Sequence, residues 1–144
     1  IEEMERVKRD YPRAPDLLYR LGLAYAQRGE PGDLVEAASN LEAAVKLAPD
    51  TLRRALASCE LAKVRMDLKQ YDKAMELFTG AGAGAPDVVG DAANWHAGRC
   101  LELLGRLDDA EDRYADVLRS AAPGSIWRSL AEYRRIRLRE KRLD

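Results

Sequence analysis

Apolar residues recur along this chain at the spacing of helical turns. Ala74, Leu77, Phe78 and Ala81 fall at i, i+3, i+4 and i+7, the stripe that one face of a helix buries. Leu34, Ala37, Leu41 and Val45 repeat it upstream, and Leu107, Ala110, Tyr114, Val117 and Ala121 downstream. Preceding helices carry Leu18, Leu21, Gly22 and Tyr25, then Leu61, Ala62, Val64 and Leu68, then Ala97, Gly98, Leu101 and Leu104. Strand-type alternation is missing, so the pattern predicts an all-α chain. Short turns are expected at Arg28 to Asp33, Lys69 to Gln70 and Gly105 to Arg106. Asp33 with Glu36 reads as a capping box, while Asp50, Asp87 and Ser125 are placed to cap other helices.

Prolines punctuate these pairs. Pro12, Pro49, Pro86 and Pro123 each follow an apolar helical stretch and stop it, because proline lacks the backbone donor and crowds the preceding turn. Their even spacing points to a repeat architecture. Gly22, Ala62 and Gly98 sit midway along the first helix of each pair, and Ala37, Ala74 and Ala110 open the second. Small side chains at both places allow two helices to approach closely, with Leu41, Phe78 and Tyr114 filling the next turn.

Leu21-Gly22-x-x-Tyr25, Ala37-x-x-x-Leu41-x-x-Ala44 and Pro49 resemble the tetratricopeptide-repeat signature. Ala74-x-x-x-Phe78-x-x-Ala81 with Pro86, and Ala110-x-x-x-Tyr114-x-x-Val117, match its second half. The resemblance implies a right-handed superhelical stack of antiparallel helix hairpins, a tetratricopeptide-like α-solenoid. Its parts would be a half repeat over 1–12, repeats over 14–49, 51–86 and 88–123, and a capping helix over 125–142 with one polar face. The proline spacing exceeds the family's usual period, with extra residues at Glu30-Pro31-Gly32 in one pair and at the entry to the first helix in the others. Arg65 stands where the family favours an aromatic residue. The longer linkers are similar to those of bacterial envelope proteins of the Tol–Pal and outer-membrane assembly systems, which leaves cytoplasm and periplasm both open. The opening Ile1 suggests a piece of a longer protein.

Composition narrows the functions. Lys and Arg number 24 against 25 Asp and Glu, so no overall attraction to nucleic acid or anionic lipid is expected. No apolar run is long enough to insert in a membrane. Cys59 and Cys100 read as packed thiols rather than a disulfide scaffold. His96 has no partner at metal-ligand spacing, so neither metal nor cofactor is expected. Cys100, one helical turn from His96, lacks the third group that a nucleophile–base pair requires. Gly80, Gly82 and Gly84 lack the strand and the Lys-Ser/Thr of a phosphate loop, and read as residues that fray a helix end. No enzymatic role is expected.

Charge is nonetheless uneven. Asp108, Asp109, Glu111 and Asp112 open one helix, where they complement its dipole and suggest a solvated start. Arg128, Arg134, Arg135, Arg137, Arg139, Lys141 and Arg142 make the last helix basic, as a polar cap or as a surface for an acidic partner.

In the tetratricopeptide family the first helix of each pair lines a concave groove. Applied here, that gives Tyr19, Leu23 and Gln27, then Cys59, Lys63 and Met66, then Trp95, Arg99 and Glu102 as candidate partner-binding residues. Trp95 has two readings, a groove anchor or a contact between hairpins. The lysines and asparagines with which related repeats clamp acidic chaperone tails are replaced by Tyr19, Leu23, Glu60, Ala92 and His96, so that clamp is missing. The expected function is a scaffold for a protein or peptide ligand. The alternative is a structural spacer or self-association module.

Overall fold

The computed structural model describes residues 1–84 and 87–143. They form eight helices: α1 Glu2–Asp10, α2 Pro15–Arg28, α3 Asp33–Leu47, α4 Thr51–Asp67, α5 Tyr71–Gly84, α6 Asp87–Leu103, α7 Leu107–Ser120 and α8 Ile126–Leu143. No strand occurs among the described residues. Each helix packs chiefly on its neighbours in sequence, and α4 also meets α2 and α6, while α6 also meets α8. The chain is therefore an all-α, right-handed superhelical stack of antiparallel hairpins, with a first-helix row α2–α4–α6–α8 along one side.

The hairpin contacts follow from side-chain size. Ala37, Leu41, Ala74, Phe78, Ala110 and Tyr114 are fully buried. A Cβ added to Gly22 would lie 2.6 Å from Leu41 Cγ, and one added to Gly98 would lie 2.6 Å from Tyr114 Cε1. Glycine is needed at these two sites because the facing side chain occupies the space of a methyl group. Ala62 performs the same role on α4 and is fully buried. Between α4 and α5 Lys69 adopts φ 64°, the left-handed conformation that Gly105 adopts between α6 and α7 at φ 77°.

Capping departs from expectation in one place. Asp50 accepts a bond from the Arg53 amide at 2.8 Å, and Ser125 Oγ accepts one from the Trp127 amide at 3.2 Å, as their positions suggested. Asp33 does not form a capping box with Glu36. It lies inside α3, where its buried carboxylate accepts two bonds from Arg28 and one from the Glu30 amide. A guanidinium fork outcompetes a lone backbone donor for both oxygens. Pro86 and the side chain of Asp87 lie outside what the structure describes, and with them the expected stop and cap.

Gly80, Gly82 and Gly84 do not end α5 early, since the helix runs to Gly84. A Cβ on Gly82 would lie 2.9 Å from Asn94 Oδ1, so this glycine permits close contact with α6. At the front, Ile1, just before α1, and Met4 within it pack beside Leu21, Tyr25 and Leu41. Tyr25 donates to Glu5 at 2.8 Å and Lys8 to Asn40 at 2.9 Å, tying α1 to both helices of the first hairpin.

The last helix has apolar residues on more than one side. Trp127, Ala131 and Leu138 pack against the third hairpin, but Ile126 and Tyr133 face solvent. Much of its basic charge turns inward instead. Arg142 pairs with Asp108 and Glu111, and Arg135 lies 3.7 Å from Glu111. The acidic start of α7 is thus a docking site for α8 as well as a complement to its own dipole.

Candidate functional site

The candidate residues sit on the row of first helices, and most occupy the seams between them. Tyr19 of α2 is half-buried beside Leu61 and Ala57 of α4. Burial, with Glu60 and Cys59 nearby, pushes its phenol above the ordinary value. Cys59 and Met66 of α4 are half-buried against Ala93, Ala97 and Cys100 of α6. Burial raises the Cys59 thiol despite the nearby Lys63 ammonium.

Trp95 lies in the seam between α6 and α8. Its ring centroid is 5.8 Å from that of Trp127 and 5.0 Å from that of His96. It is half-buried, and its Nε1 is buried with no hydrogen-bond partner among the described residues. His96 stacks on the fully buried Phe78 at 5.0 Å and also meets Trp127.

Glu102 is not a groove residue. It is 8% exposed, and its carboxylate accepts bonds from Tyr114 at 2.5 Å, Arg99 at 2.6 Å and Arg134 at 2.7 and 3.0 Å. Burial pushes its pKa up, but the bonds from Arg134, Tyr114 and Arg99 outweigh that and hold it below the usual glutamate value. The reason for the correction is register. Glu102 follows Trp95 by two turns and shares its seam, so α8 covers both.

Gln27 and Lys63 are exposed, while Leu23 and Arg99 are half-exposed. Lys63 lies 3.2 Å from Glu60, a surface pair of little energy that a ligand carboxylate could replace. Two exposed apolar residues escaped the sequence reading. Leu56 lies two turns before Lys63, and Leu103 one turn after Arg99, on the same helix faces; they are 40% and 46% exposed. Counting outward from Lys63 and Arg99, not from the buried stripe, would have found both. A cleft of about 140 Å³ opens where Tyr19, Ala44, Pro49, Leu56 and Ala57 meet.

The His96–Cys100 pair has the wrong electrostatics for nucleophilic catalysis. Burial, aided by Lys63 and Arg99, lowers His96 to about 4, and burial raises the Cys100 thiol to about 11. A weak base beside a protonated thiol is the reverse of an activated nucleophile. No group of three or more His, Cys, Asp or Glu side chains suited to a metal ion occurs among the described residues. No described helix is long and apolar enough to cross a membrane.

Known proteins share this architecture. Solved structures similar to it include MamA, at 22% identity over 82% of this chain and 64% of that one, with a TM-score of 0.70. Another is TTC0263, a thermophilic TPR protein of Thermus thermophilus, at 24% identity over 99% of this chain and 71% of that one, with a TM-score of 0.68. A third, the MamA RS-1 ArsTM double mutant, is 19% identical over 96% of this chain and 83% of that one, with a TM-score of 0.69. At such identities the likeness carries the fold alone, and the chain spans 64% of the length of the first MamA structure. No curated protein sequence matches significantly. The sequence profile for the tetratricopeptide repeat-like domain matches residues 3–139, nearly the whole chain. The hairpin stack, the small residues at its close contacts and that profile agree: the chain belongs to the tetratricopeptide repeat-like domain family.

Proposed function

We propose that this domain is a protein-interaction scaffold that holds an extended peptide segment along its row of first helices. The observation that carries the reading is the composition of the open faces of α4 and α6. There Lys63 and Arg99 alternate with Leu56 and Leu103, which are partly open to solvent. Apolar contacts with a few cations suit a segment bearing both apolar and carboxylate side chains. The seam residues Tyr19, Cys59, Met66, Trp95 and Glu102 serve in this reading to hold the successive helices in line, and Leu23, Gln27, Lys63 and Arg99 to meet the ligand. Families of this kind are typically scaffolds rather than enzymes, and the shifted His96 and Cys100 fit that role.

Peptide display selected on the wild-type chain provides the test. Selected peptides should lose at least tenfold in affinity on Lys63→Glu and on Leu103→Asp, and should be indifferent to Val35→Asp on the exposed side of α3. Peptides that ignore both groove substitutions would refute the proposal.

A further inference from the structure

Helix α8 carries a second apolar stripe opposite the one it buries. Ile126, Ser129, Tyr133, Ile136, Glu140 and Leu143 follow one another at steps of three and four residues in alternation, and all six are exposed. Ile126 is 66% exposed, and Tyr133 and Ile136 are each 55% exposed. Isolated exposed apolar residues are ordinary on protein surfaces, but this alternation is the spacing that keeps one helix seam against another. The stripe runs about 27 Å at the rise of an α-helix.

Its place in the stack identifies the kind of occupant. Cys59 and Met66 are the α4 positions packed into the cluster that Ala93, Ala97 and Cys100 of α6 share, and Trp95 and Glu102 are the α6 positions that meet α8. Ser129 and Ile136 lie 34 residues beyond Trp95 and Glu102, at the matching positions of α8. The outer stripe is therefore the next seam of the same row, shaped to receive a helix laid alongside.

Charge selects among helices. Arg134, Arg135 and Arg142 are paired with Glu102, Glu111 and Asp108. Around Ile136 and Leu143 the exposed Arg137, Arg139 and Lys141 outnumber Glu132 and Glu140, the two carboxylates among the described residues of α8. Two α8 stripes set in parallel would bring like charges together, which disfavours that pairing of identical copies through this face. We infer that the outer stripe of α8 docks an amphipathic helix of a partner protein, one whose apolar seam is flanked by carboxylates. This surface stands apart from the groove on α4 and α6 and does not depend on its occupancy.

The experiment uses the 144-residue chain and two labelled 21-residue helical peptides with leucine at seam positions. One peptide carries glutamate at the flanking positions and the other lysine, and binding is followed by fluorescence anisotropy. The glutamate peptide should bind at least tenfold more tightly than the lysine peptide and weaken with added salt. Ile136→Asp, at an exposed site, should reduce that binding at least tenfold without changing the circular dichroism or melting temperature; Tyr133→Ser should weaken it as well. Lys63→Glu should leave it unchanged, which separates this site from the groove. Absence of binding, equal affinity for both peptides, or insensitivity to Ile136→Asp would overturn the inference. So would dimers of the chain abolished by Ile136→Asp, since the occupant would then be a second copy.

Discussion

The same substitution, glycine to alanine, should have opposite effects at two helical positions of this chain. At Gly98 the new methyl carbon would stand 2.6 Å from Tyr114 Cε1 and 2.8 Å from its Cζ, well inside contact distance. The ring cannot retreat easily, because Tyr114 is fully buried and its hydroxyl donates to Glu102 at 2.5 Å. Overpacking of this kind costs about 1–3 kcal/mol. Alanine recovers nearly 1 kcal/mol of that through helix propensity, so the net loss should reach about 2 kcal/mol. At Gly80, on an exposed part of α5, nothing lies within 4 Å of the added carbon. Only the propensity acts there, and Gly80→Ala should stabilise by about 0.5–1 kcal/mol. For a chain of this size each kcal/mol moves the melting temperature by about 3 °C. Gly98→Ala should therefore melt several degrees lower, and Gly80→Ala a few degrees higher, in calorimetry or circular dichroism. If Gly98→Ala melted at or above the wild-type temperature, the α6–α7 contact would be looser than described, and the size argument for the hairpin glycines would fail.

Two further outcomes follow from the α6–α8 seam. Glu102 has a folded pKa below its ordinary value of about 4.3, so the stability it contributes is complete above that pH and is lost as pH falls through the folded value. Glu102→Gln should flatten the acid limb of a stability–pH profile and cost about 2 kcal/mol at neutral pH. That is less than for a fully buried pair, because Arg99 and Arg134 are partly exposed; an unchanged acid limb would show the network to be inert. Trp95→Ala should lower chemical-denaturation stability by about 2–3 kcal/mol, since it empties a contact with Trp127 and His96. A neutral effect there, with a loss of peptide affinity, would return Trp95 to the groove.

The hairpins were legible because their signal is local. Helical spacing, a small residue on each facing helix and a proline after each pair are all written within a few dozen residues. Asp50 and Ser125 could be read as caps for the same reason, as each bonds an amide two or three residues away. Asp33 could not, because its outcome depended on Arg28, across the turn, reaching its carboxylate with both nitrogens. Gly82 was misread because an exposed, glycine-rich helix end and a close helix contact look alike in one dimension.

The candidate site shows the same division at larger scale. Sequence alone determined that the chain is a helical repeat, which helix of each pair comes first, and that Tyr19, Lys63, Trp95 and Arg99 belong to first helices. Only the stacking decided which of their faces stays open, because the rotation of one hairpin on the next is set by contacts between residues far apart in the chain. That rotation buried Glu102 under Arg134 and placed Trp95 against Trp127, while leaving Leu56, Leu103 and the outer stripe of α8 in solvent. A helix's own periodicity identifies an apolar face, but which neighbour covers that face is a property of the assembled stack.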